Sequence, residues 1–189
     1  MILSREQMNA LHGHYELLRR WNSKINLTSI RSPGEIVIRH YCESLFFGAH
    51  LPDAPAGTTI ADIGSGPGFP GVPLAVLRPD WNVALVESNQ RKAVFLREST
   101  RELPNVAVIA DRAEHLDRHF DWLVGRAVRP EDILHLSPKL GSRIGLLIGE
   151  DDFNRIRRES GFVWSEAIRV PWGDHRVFVF GVPRETSGI

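Results

Sequence analysis

The feature that most constrains the fold is a regular alternation of short apolar runs with segments of helical spacing. Strands are predicted at residues 59–63, 83–86, 106–110, 121–125 and 144–148, and helices at 72–77, 91–103, 131–140 and 152–160. This alternation is typical of an α/β fold, in which helices cover both faces of a parallel, doubly wound sheet. Two later runs, 166–170 and 176–180, are separated only by PWGDH. They are predicted to form an antiparallel hairpin, because a parallel crossover needs about a dozen residues.

The first fifty residues have a different pattern. Apolar residues at helical spacing predict a helix within residues 4–30, with Ser4 and Gln7 as a capping box. SPGE predicts the start of a second helix, with Ser32 as the N-cap, Pro33 as the first helical residue and Glu35 as the capping-box partner. This helix is expected to run to about His50. LPDAPAG (51–57) is predicted to be a linker. We therefore expect an N-terminal helical extension over 1–50 and a sheet domain over 58–189.

The charge balance limits which partners are expected. The chain has 23 basic and 23 acidic residues, which argues against a non-specific nucleic-acid binder. The basic excess is N-terminal, where residues 1–40 carry six basic and three acidic side chains. Cys42 is the single cysteine, so an intrachain disulfide is excluded and a cytoplasmic location is expected. With no run of about 18 apolar residues and no signal-peptide pattern, no membrane association is expected.

The densest glycine cluster, IADIGSGPGFPGVPL, follows the first predicted strand. A nucleoside triphosphate loop would need Lys and Ser or Thr after its last glycine, whereas Gly71 is followed by Val72 and Pro73. A dinucleotide loop that begins at Gly64 would need a third glycine where Phe69 stands. The same dinucleotide pattern does occur at Gly66, Gly68 and Gly71, but there it begins inside the loop.

The register that fits the strand end is Asp62-x-Gly64-x-Gly66-x-Gly68, which resembles motif I of Rossmann-like S-adenosylmethionine-dependent methyltransferases. Glycines let the backbone approach the ribose and methionine parts of the cofactor, and Asp62 is expected beside its positive end. Glu87 ends the second strand, where a carboxylate accepts hydrogen bonds from ribose hydroxyls. The third strand ends in DRAEH, a loop expected to face the adenine.

The end of the fourth strand lacks the sequence elements of two kinds of methyl transfer. It reads LVGRAV, without the Asn/Asp-Pro-Pro-aromatic element typical of amino-group methyltransferases that act on adenine. Methyltransferases that act on a cytosine carbon use a cysteine nucleophile in that part of the fold. The only cysteine here, Cys42, lies in the predicted N-terminal helix. Neither amine transfer nor covalent carbon transfer is therefore indicated.

Several stretches together resemble the bacterial 16S ribosomal RNA guanine-N7 methyltransferase family, also called glucose-inhibited division protein B. They cover most of residues 15–150 and read WNSKINLTSIR, IVIRHYCESL, DIGSGPGFPGVPLAVLRPD, RKAVFLRE, RAEHL and DWLVGRAV. The resemblance implies a class I S-adenosylmethionine-dependent methyltransferase. Its expected fold is a mostly parallel seven-stranded sheet with an antiparallel C-terminal hairpin and an N-terminal helical extension.

The resemblance also implies site residues and partners. The cofactor-binding set from loop pattern and resemblance is Asp62, Gly64, Gly66, Gly68, Phe69, Glu87, Arg112, Ala113, Glu114 and Arg126. Asn26, Arg39 and His40 are expected on the substrate side. S-adenosylmethionine would be the cofactor and S-adenosylhomocysteine its product, without a metal, and the partner would be 16S ribosomal RNA or the small subunit. A monomer is expected by default.

This sequence departs from the family pattern at three places. The acid of the second strand is Glu87 where aspartate is more common, and RHYCES replaces a more aliphatic stretch that ends in aspartate. Ile148 precedes Gly149, where the family usually has lysine. If that lysine assists RNA binding, this chain must do without it or use Arg143.

Guanine N7 carries a lone pair and no proton, so its methylation needs no general base, and we assign no catalytic acid or base. The expected mechanism is positioning of N7 in line with the sulfonium methyl. Three alternatives stay open from the residues alone. They are a methyltransferase for another RNA atom or a small molecule, a dinucleotide-dependent oxidoreductase, and an RNA-binding module without turnover.

Overall fold

The computed structural model describes residues 2–158, 161–173 and 175–184. Its strands are β1 (Thr59–Ile63), β2 (Asn82–Val86), β3 (Val106–Ile109), β4 (Phe120–Arg126), β5 (Gly141–Gly149), β6 (Phe162–Trp164), β7 (Ile168–Arg169) and β8 (Arg176–Pro183). Its α-helices are α1 (Arg5–Asn22), α2 (Pro33–Ile36), α3 (Glu43–His50), α4 (Gly71–Leu77), α5 (Gln90–Ser99), α6 (Pro130–Leu140) and α7 (Glu150–Ile156). A π-helical turn (Val37–Cys42) joins α2 to α3, and a 3₁₀ turn (Ala113–His115) follows β3.

All the strands belong to one mixed sheet of order β3-β2-β1-β4-β5-β8-β6, with β7 also paired to β8. β1 to β5 run parallel, and β8 runs antiparallel to β5, β6 and β7. The predicted α/β class, the mostly parallel sheet and the antiparallel end are thereby confirmed. The chain order reverses between β1 and β4, and open α/β sheets bind ligands at the carboxyl ends of strands beside such a reversal.

The sheet has eight strands rather than the seven expected, because the strand that pairs with β8 is split in two. Trp164 pairs with Gly181, and Ile168 pairs with Phe178. Between these two pairs, the β6–β7 strand therefore contains one more residue than β8. Such an extra residue is a β-bulge, which interrupts a ladder and increases its twist. The sequence analysis predicted only the second half of this strand.

Apolar cores lie on both faces of the sheet. One contains Leu18, Phe47, Leu74 and Phe178, all fully buried, so the N-terminal helices share a core with α4 and with β8. The other core lies under α6 and α7. The predicted division into 1–50 and 58–189 stays a prediction.

The N-terminal helices match the sequence analysis in part. The capping box at Ser4 is confirmed. However, α1 ends at Asn22 although the helical spacing continues to Ile25, because the Asn22 Oδ1 atom accepts hydrogen bonds from the N–H groups of Leu27 and Thr28, which fold the chain back. Helical structure does run from 33 to 50, but the Ser32 side chain makes no capping bond, so the second capping box was wrong.

Two other helix ends also differ from the sequence analysis. α5 ends at Ser99 rather than 103. α7 ends at Ile156, and residues 159 and 160 of the predicted helix lie outside the described residues. In the described ranges, no helix combines the length and apolar character that crossing a bilayer requires.

Candidate functional site

The loop that follows β1 forms the centre of the candidate site. Gly64 and Gly66 have φ values of +67° and +56°, in the left-handed region that favours glycine. A Cβ atom on Gly64 would come within 2.6 Å of the Val128 Cγ1 atom. The loop therefore brings bare backbone to the carboxyl end of the sheet, where a ligand could approach it closely.

Asp62 lies beneath this loop, fully buried. Its Oδ2 atom accepts a hydrogen bond of 2.9 Å from the Gly71 N–H, at the start of α4. The Ser65 hydroxyl donates to the Asp62 carbonyl oxygen over 2.9 Å. Burial raises the pKa of Asp62 to about 7, and the bond from Gly71 counteracts only part of that shift. Asp62 therefore joins the end of β1 to the start of α4 and anchors the glycine loop between them.

Glu87 follows β2 and is also largely buried, with 7% of its surface exposed. Its Oε2 atom accepts from the Gly66 N–H at 2.9 Å, and its Oε1 atom accepts from the Asn89 N–H at 2.7 Å. Each carboxylate oxygen has two lone pairs, so each retains acceptor capacity for one more donor. Glu87 therefore joins the glycine loop to the start of α5.

Gly64 lines two cavities. We call the first the central cavity; it has a volume of about 370 Å³ and is lined by residues 27–30, His40, residues 64–67, Phe69, Lys92, Arg126 and Ala127. We call the second the lateral cavity; it has a volume of about 230 Å³ and is lined by residues 63, 64, 86, 88, 111–114, 128, 132, 133 and 136. Because Gly64 lines both, they form neighbouring parts of one surface at the carboxyl ends of β1 to β4.

A chain of polar contacts crosses the central cavity. The Arg126 guanidinium lies 3.0 Å from the His40 Nδ1 atom, and the His40 Nε2 atom lies 2.9 Å from the Thr28 Oγ1 atom. Arginine has no acceptor, so Nδ1 must accept and Nε2 must carry the hydrogen donated to Thr28. The His40 ring also stacks on Phe69, with centroids 4.7 Å apart and planes at 14°. His40 is thereby held on three sides.

Arg126 is held by a second partner, the buried carboxylate of Glu43. The Glu43 Oε2 atom lies 3.3 Å from a terminal nitrogen of Arg126 and 3.3 Å from one of Arg176. Burial raises the pKa of Glu43, although the two guanidiniums act in the opposite direction. Burial also lowers the pKa of Arg126 to about 10, so Arg126 stays protonated at neutral pH. Two cations thus share one carboxylate beside the central cavity.

His14 of α1 supports the glycine loop from outside the cavity. It is 1% exposed, its Nδ1 atom lies 2.6 Å from the Tyr41 hydroxyl, and its ring meets that of Phe69 edge to face. Burial lowers the pKa of His14 to about 4. The N-terminal helices therefore contact the loop directly through His14 and His40.

The buried position of His40 predicts a pH effect on stability. Burial, and then the charges of Arg126, Arg176 and Arg39, lower its pKa from 6.5 to about 3. On acidification the unfolded chain takes up this proton first, so the stability that neutral His40 provides above pH 6.5 is lost as the pH falls toward 3. Compared with a His40→Gln variant, we expect the wild type to lose up to about 1.4 kcal/mol per pH unit.

Urea unfolding of both proteins between about pH 7 and about pH 5 measures this difference, because contributions from the other titrating groups cancel. Parallel pH profiles for the two proteins would contradict the assignment of a depressed pKa to His40.

The structure brings some of the predicted site residues together and leaves others apart. Arg112, Ala113 and Glu114 line the lateral cavity. The central cavity is lined by five of them: Gly64, Gly66, Phe69, His40 and Arg126. Asp62 and Glu87 line neither cavity. Glu87 is connected to the central cavity through its bond from Gly66, and its neighbours Val86 and Ser88 line the lateral cavity.

Other predicted residues lie outside both linings. Asn26 is exposed beside the central cavity, and Gly68 packs against Val72 and His14. Arg39 lines a separate cavity of about 230 Å³ with Trp172. Ile148, the departure noted above, is buried in the core under α6 and α7.

Sequence reasoning missed four residues of this region: His14, Thr28, Glu43 and Arg176. His14 lies three positions after Leu11 and four before Leu18, so its place on the apolar stripe indicated burial. Glu43 follows His40 by three residues in the same predicted helix, which indicated a shared face. No local signal in the sequence places Arg176 beside them. Among the described residues, no cluster of three or more histidine, cysteine or carboxylate side chains suits a metal ion.

Comparison with known sequences agrees with this geometry. Residues 7–148 match the GidB family model, described as rRNA small subunit methyltransferase G. A relative from Nitrosomonas europaea, named Ribosomal RNA small subunit methyltransferase G, is 46% identical over 118 residues, which are 60% of this chain and 53% of the relative. A relative of the same name from Chromobacterium violaceum is 42% identical over 129 residues, covering 66% of this chain and 60% of the relative. The chain thus spans little more than half the length of these relatives.

Solved structures support the fold. A predicted O-methyltransferase from Agrobacterium tumefaciens aligns with a TM-score of 0.61 and 22% identity, over 76% of this chain and 81% of that one. Aeropyrum pernix fibrillarin, solved with natively bound S-adenosyl-L-methionine, aligns with a TM-score of 0.59 and 16% identity, over 75% and 74% of the two chains. At these identities the likeness concerns the fold alone.

Proposed function

Because the chain belongs to the GidB family, rRNA small subunit methyltransferase G, we propose that it methylates ribosomal RNA. The finer proposal is transfer of the methyl group of S-adenosylmethionine to N7 of a specific guanine in 16S ribosomal RNA. The observation that carries the proposal is the meeting of the central and lateral cavities at Gly64. One cavity has a wall from the loop after β3, and the other has a wall from the N-terminal segment, so a cofactor and a second substrate can share that edge.

The residues around Gly64 fit S-adenosylmethionine. No side chain projects from Gly64 or Gly66, so the backbone offers the close approach that a ribose and an amino-acid chain need. Glu87 offers carboxylate oxygens with free acceptor capacity, and Arg126 offers a protonated guanidinium at the wall of the central cavity. An acceptor suits the ribose hydroxyls of this cofactor, and a cation suits its carboxylate.

We assign roles to the predicted cofactor residues on that basis. Glu87 would accept the ribose hydroxyls, and residues 112–114 would contact the adenine in the lateral cavity. Arg126 would pair with the carboxylate of the methionine part. Asp62 and Gly68 would act through the loop, which Asp62 anchors at Gly71, and Phe69 would hold His40 by stacking.

The bound cofactor supplies an electrophilic methyl group on a positively charged sulfur. The protein's own residues need only orient the acceptor, because guanine N7 has no proton to remove. His40 is consistent with this, since its low pKa keeps it neutral and its ring nitrogens are both engaged. Proximity and alignment are therefore the main contributions expected from the site.

The RNA would enter from the N-terminal side. Arg20 and Lys24 are exposed at the end of α1, and the chain then continues into residues 27–30, which form a wall of the central cavity. Cations at such a position would bind phosphates and release counterions. Asn26 and Arg39, predicted on the substrate side, would contact the RNA outside the cavity.

Replacing Arg20 and Lys24 with glutamine is expected to weaken binding of a 16S ribosomal RNA fragment and to flatten its salt dependence. The slope of log K against log salt should decrease by about 0.7 for each phosphate that the variant no longer neutralises. Fluorescence anisotropy at several salt concentrations measures the slope. Arg101→Gln, an exposed residue before β3 at the edge where the strands begin, is the control. Equal slopes for all three proteins would contradict the proposed RNA path.

Incubation with methyl-labelled S-adenosylmethionine and undermethylated 16S ribosomal RNA or small subunits tests the function. We expect label on guanine N7. Label on another RNA atom, or on a small molecule without RNA, would replace the substrate assignment, and RNA binding without any transfer would indicate a module that does not turn over. Titration with a nicotinamide dinucleotide tests the oxidoreductase alternative, because a dinucleotide-dependent oxidoreductase would bind it.

A cytoplasmic location, a monomeric state and the division into 1–50 and 58–189 are proposed with this function.

A further inference from the structure

We propose that Glu43 is a positioning residue for cofactor binding, and that it acts by holding the Arg126 guanidinium at the wall of the central cavity. This inference rests on the proposed function, because it takes Arg126 as the partner of the methionine carboxylate. Glu43 does not line the central cavity itself and was not among the predicted site residues. Its effect on a ligand there must therefore pass through Arg126.

Both terminal nitrogens of Arg126 have a partner, one through a hydrogen bond and the other through an ion pair that lacks hydrogen-bond geometry. One lies 3.0 Å from the His40 Nδ1 atom, and the other lies 3.3 Å from the Glu43 Oε2 atom. The side chains of Arg126 and Glu43 are 7% and 1% exposed, so water cannot replace either partner easily. A planar guanidinium that is hydrogen-bonded at one nitrogen and ion-paired at the other is restricted in orientation, which favours directional binding of a carboxylate.

The charges point to the same role. Glu43 offers one negative charge to two guanidiniums, since Arg176 also lies 3.3 Å from its Oε2 atom. The cluster therefore keeps a positive charge for an anionic ligand, whereas Glu43 limits the repulsion between its two cations. Without Glu43, Arg126 and Arg176 would repel each other, and the buried guanidinium of Arg126 would lose its ion-pair partner. Arg126 would then be expected to leave the orientation that His40 and Glu43 define.

The backbone next to Arg126 is consistent with this role. Ala127 follows it with φ of +57°, a conformation that residues with a side chain rarely adopt. β4 therefore ends abruptly at Arg126, and the side-chain partners hold the guanidinium where the strand stops. Glu43 reaches it from α3, an element far away in the sequence.

A double-mutant cycle on the whole chain tests the inference. The proteins are the wild type, Glu43→Gln, Arg126→Met and the double variant, and calorimetry gives the dissociation constant of S-adenosylhomocysteine. We expect Glu43→Gln to weaken binding about tenfold or more, and to add little in the Arg126→Met background, because the two residues act as one unit. Full additivity of the two effects would overturn the inference.

A second ligand separates positioning from a general structural effect. 5′-Methylthioadenosine lacks the amino-acid part, so Glu43→Gln should leave its affinity unchanged within about twofold. An equal decrease in affinity for both ligands would contradict the role assigned to Glu43. Glu150→Gln is the matched control, because Glu150 is also a partly buried carboxylate held by an arginine, Arg169, at 3.0 Å, but it lines neither cavity.

Glu43→Asp keeps the measurement possible if Glu43→Gln does not fold. It retains the negative charge and shortens the reach, so it should bind S-adenosylhomocysteine more weakly than wild type and more tightly than any folded Glu43→Gln protein. The same cycle with Arg126→Met then applies, and wild-type affinity in Glu43→Asp would overturn the inference. If the wild type itself binds no S-adenosylhomocysteine, the proposed function fails instead.

Discussion

Glu87→Ala is expected to weaken binding of S-adenosylhomocysteine by about two to four orders of magnitude. Two ribose hydroxyls would each lose a charge-assisted hydrogen bond of about 1.5–3 kcal/mol. The substitution also removes the Glu87 Oε2 atom, which accepts a hydrogen bond of 2.9 Å from the Gly66 N–H. Titration calorimetry at constant pH and salt measures the decrease in affinity.

Two controls separate these contributions. Glu102→Ala removes an exposed carboxylate that pairs with Arg101 at 3.1 Å, and it should leave the affinity unchanged. The 2′-deoxy analogue of S-adenosylhomocysteine lacks one donor, so Glu87→Ala should weaken its binding less. If both ligands lose affinity by the same factor, Glu87 acts only on the loop and does not bind the ribose.

Gly71→Ala is expected to lower the free energy of unfolding by about 3 kcal/mol. A Cβ atom there would clash with the Leu85 Cδ2 atom and would come within 2.7 Å of the Asp62 Oδ2 atom. The buried neighbours must move apart, and the hydrogen bond from Gly71 N–H to Asp62 is strained at the same time. Urea unfolding followed by circular dichroism measures the stability, and cofactor affinity should fall with it because Asp62 anchors the loop.

Gly13→Ala is the matched control for this prediction. Gly13 lies within α1, and a Cβ atom there would meet nothing within 4 Å. Alanine in a helix interior is about 0.5–1 kcal/mol more favourable than glycine, so this variant should be slightly more stable than the wild type. Equal effects of the two substitutions would show that Gly71 is not required for close packing.

Much of the fold could be predicted because its signals are local. The strands β1 to β5 were each marked by an apolar run, and the short PWGDH connection allowed only an antiparallel pair. The bulge between Trp164 and Ile168 could not be predicted, since it depends on the register with β8. The early end of α1 was also missed, because the Asn22 side chain competes with helical hydrogen bonds only after the chain has folded back.

The candidate site was predictable where it follows strand ends. Gly64, Glu87, Ala113 and Arg126 each stand at or just after the carboxyl end of a predicted strand, and parallel strands bring such positions together. Glu43 and Arg176 follow a different rule. Their contact joins α3 to β8 across the core, and only the packed tertiary structure places them beside Arg126.

The contact between Glu43 and Arg176 also has a consequence for the order of folding. β8 follows the other described strands along the chain, yet it lies between β5 and the β6–β7 strand in the sheet. During synthesis, Glu43 and Arg126 leave the ribosome well before residue 176, so the early chain carries their charges without the last member of the cluster. Closure of such a distant contact is slow compared with local helix formation. Ligand affinity should therefore appear late in refolding, after most secondary structure has formed.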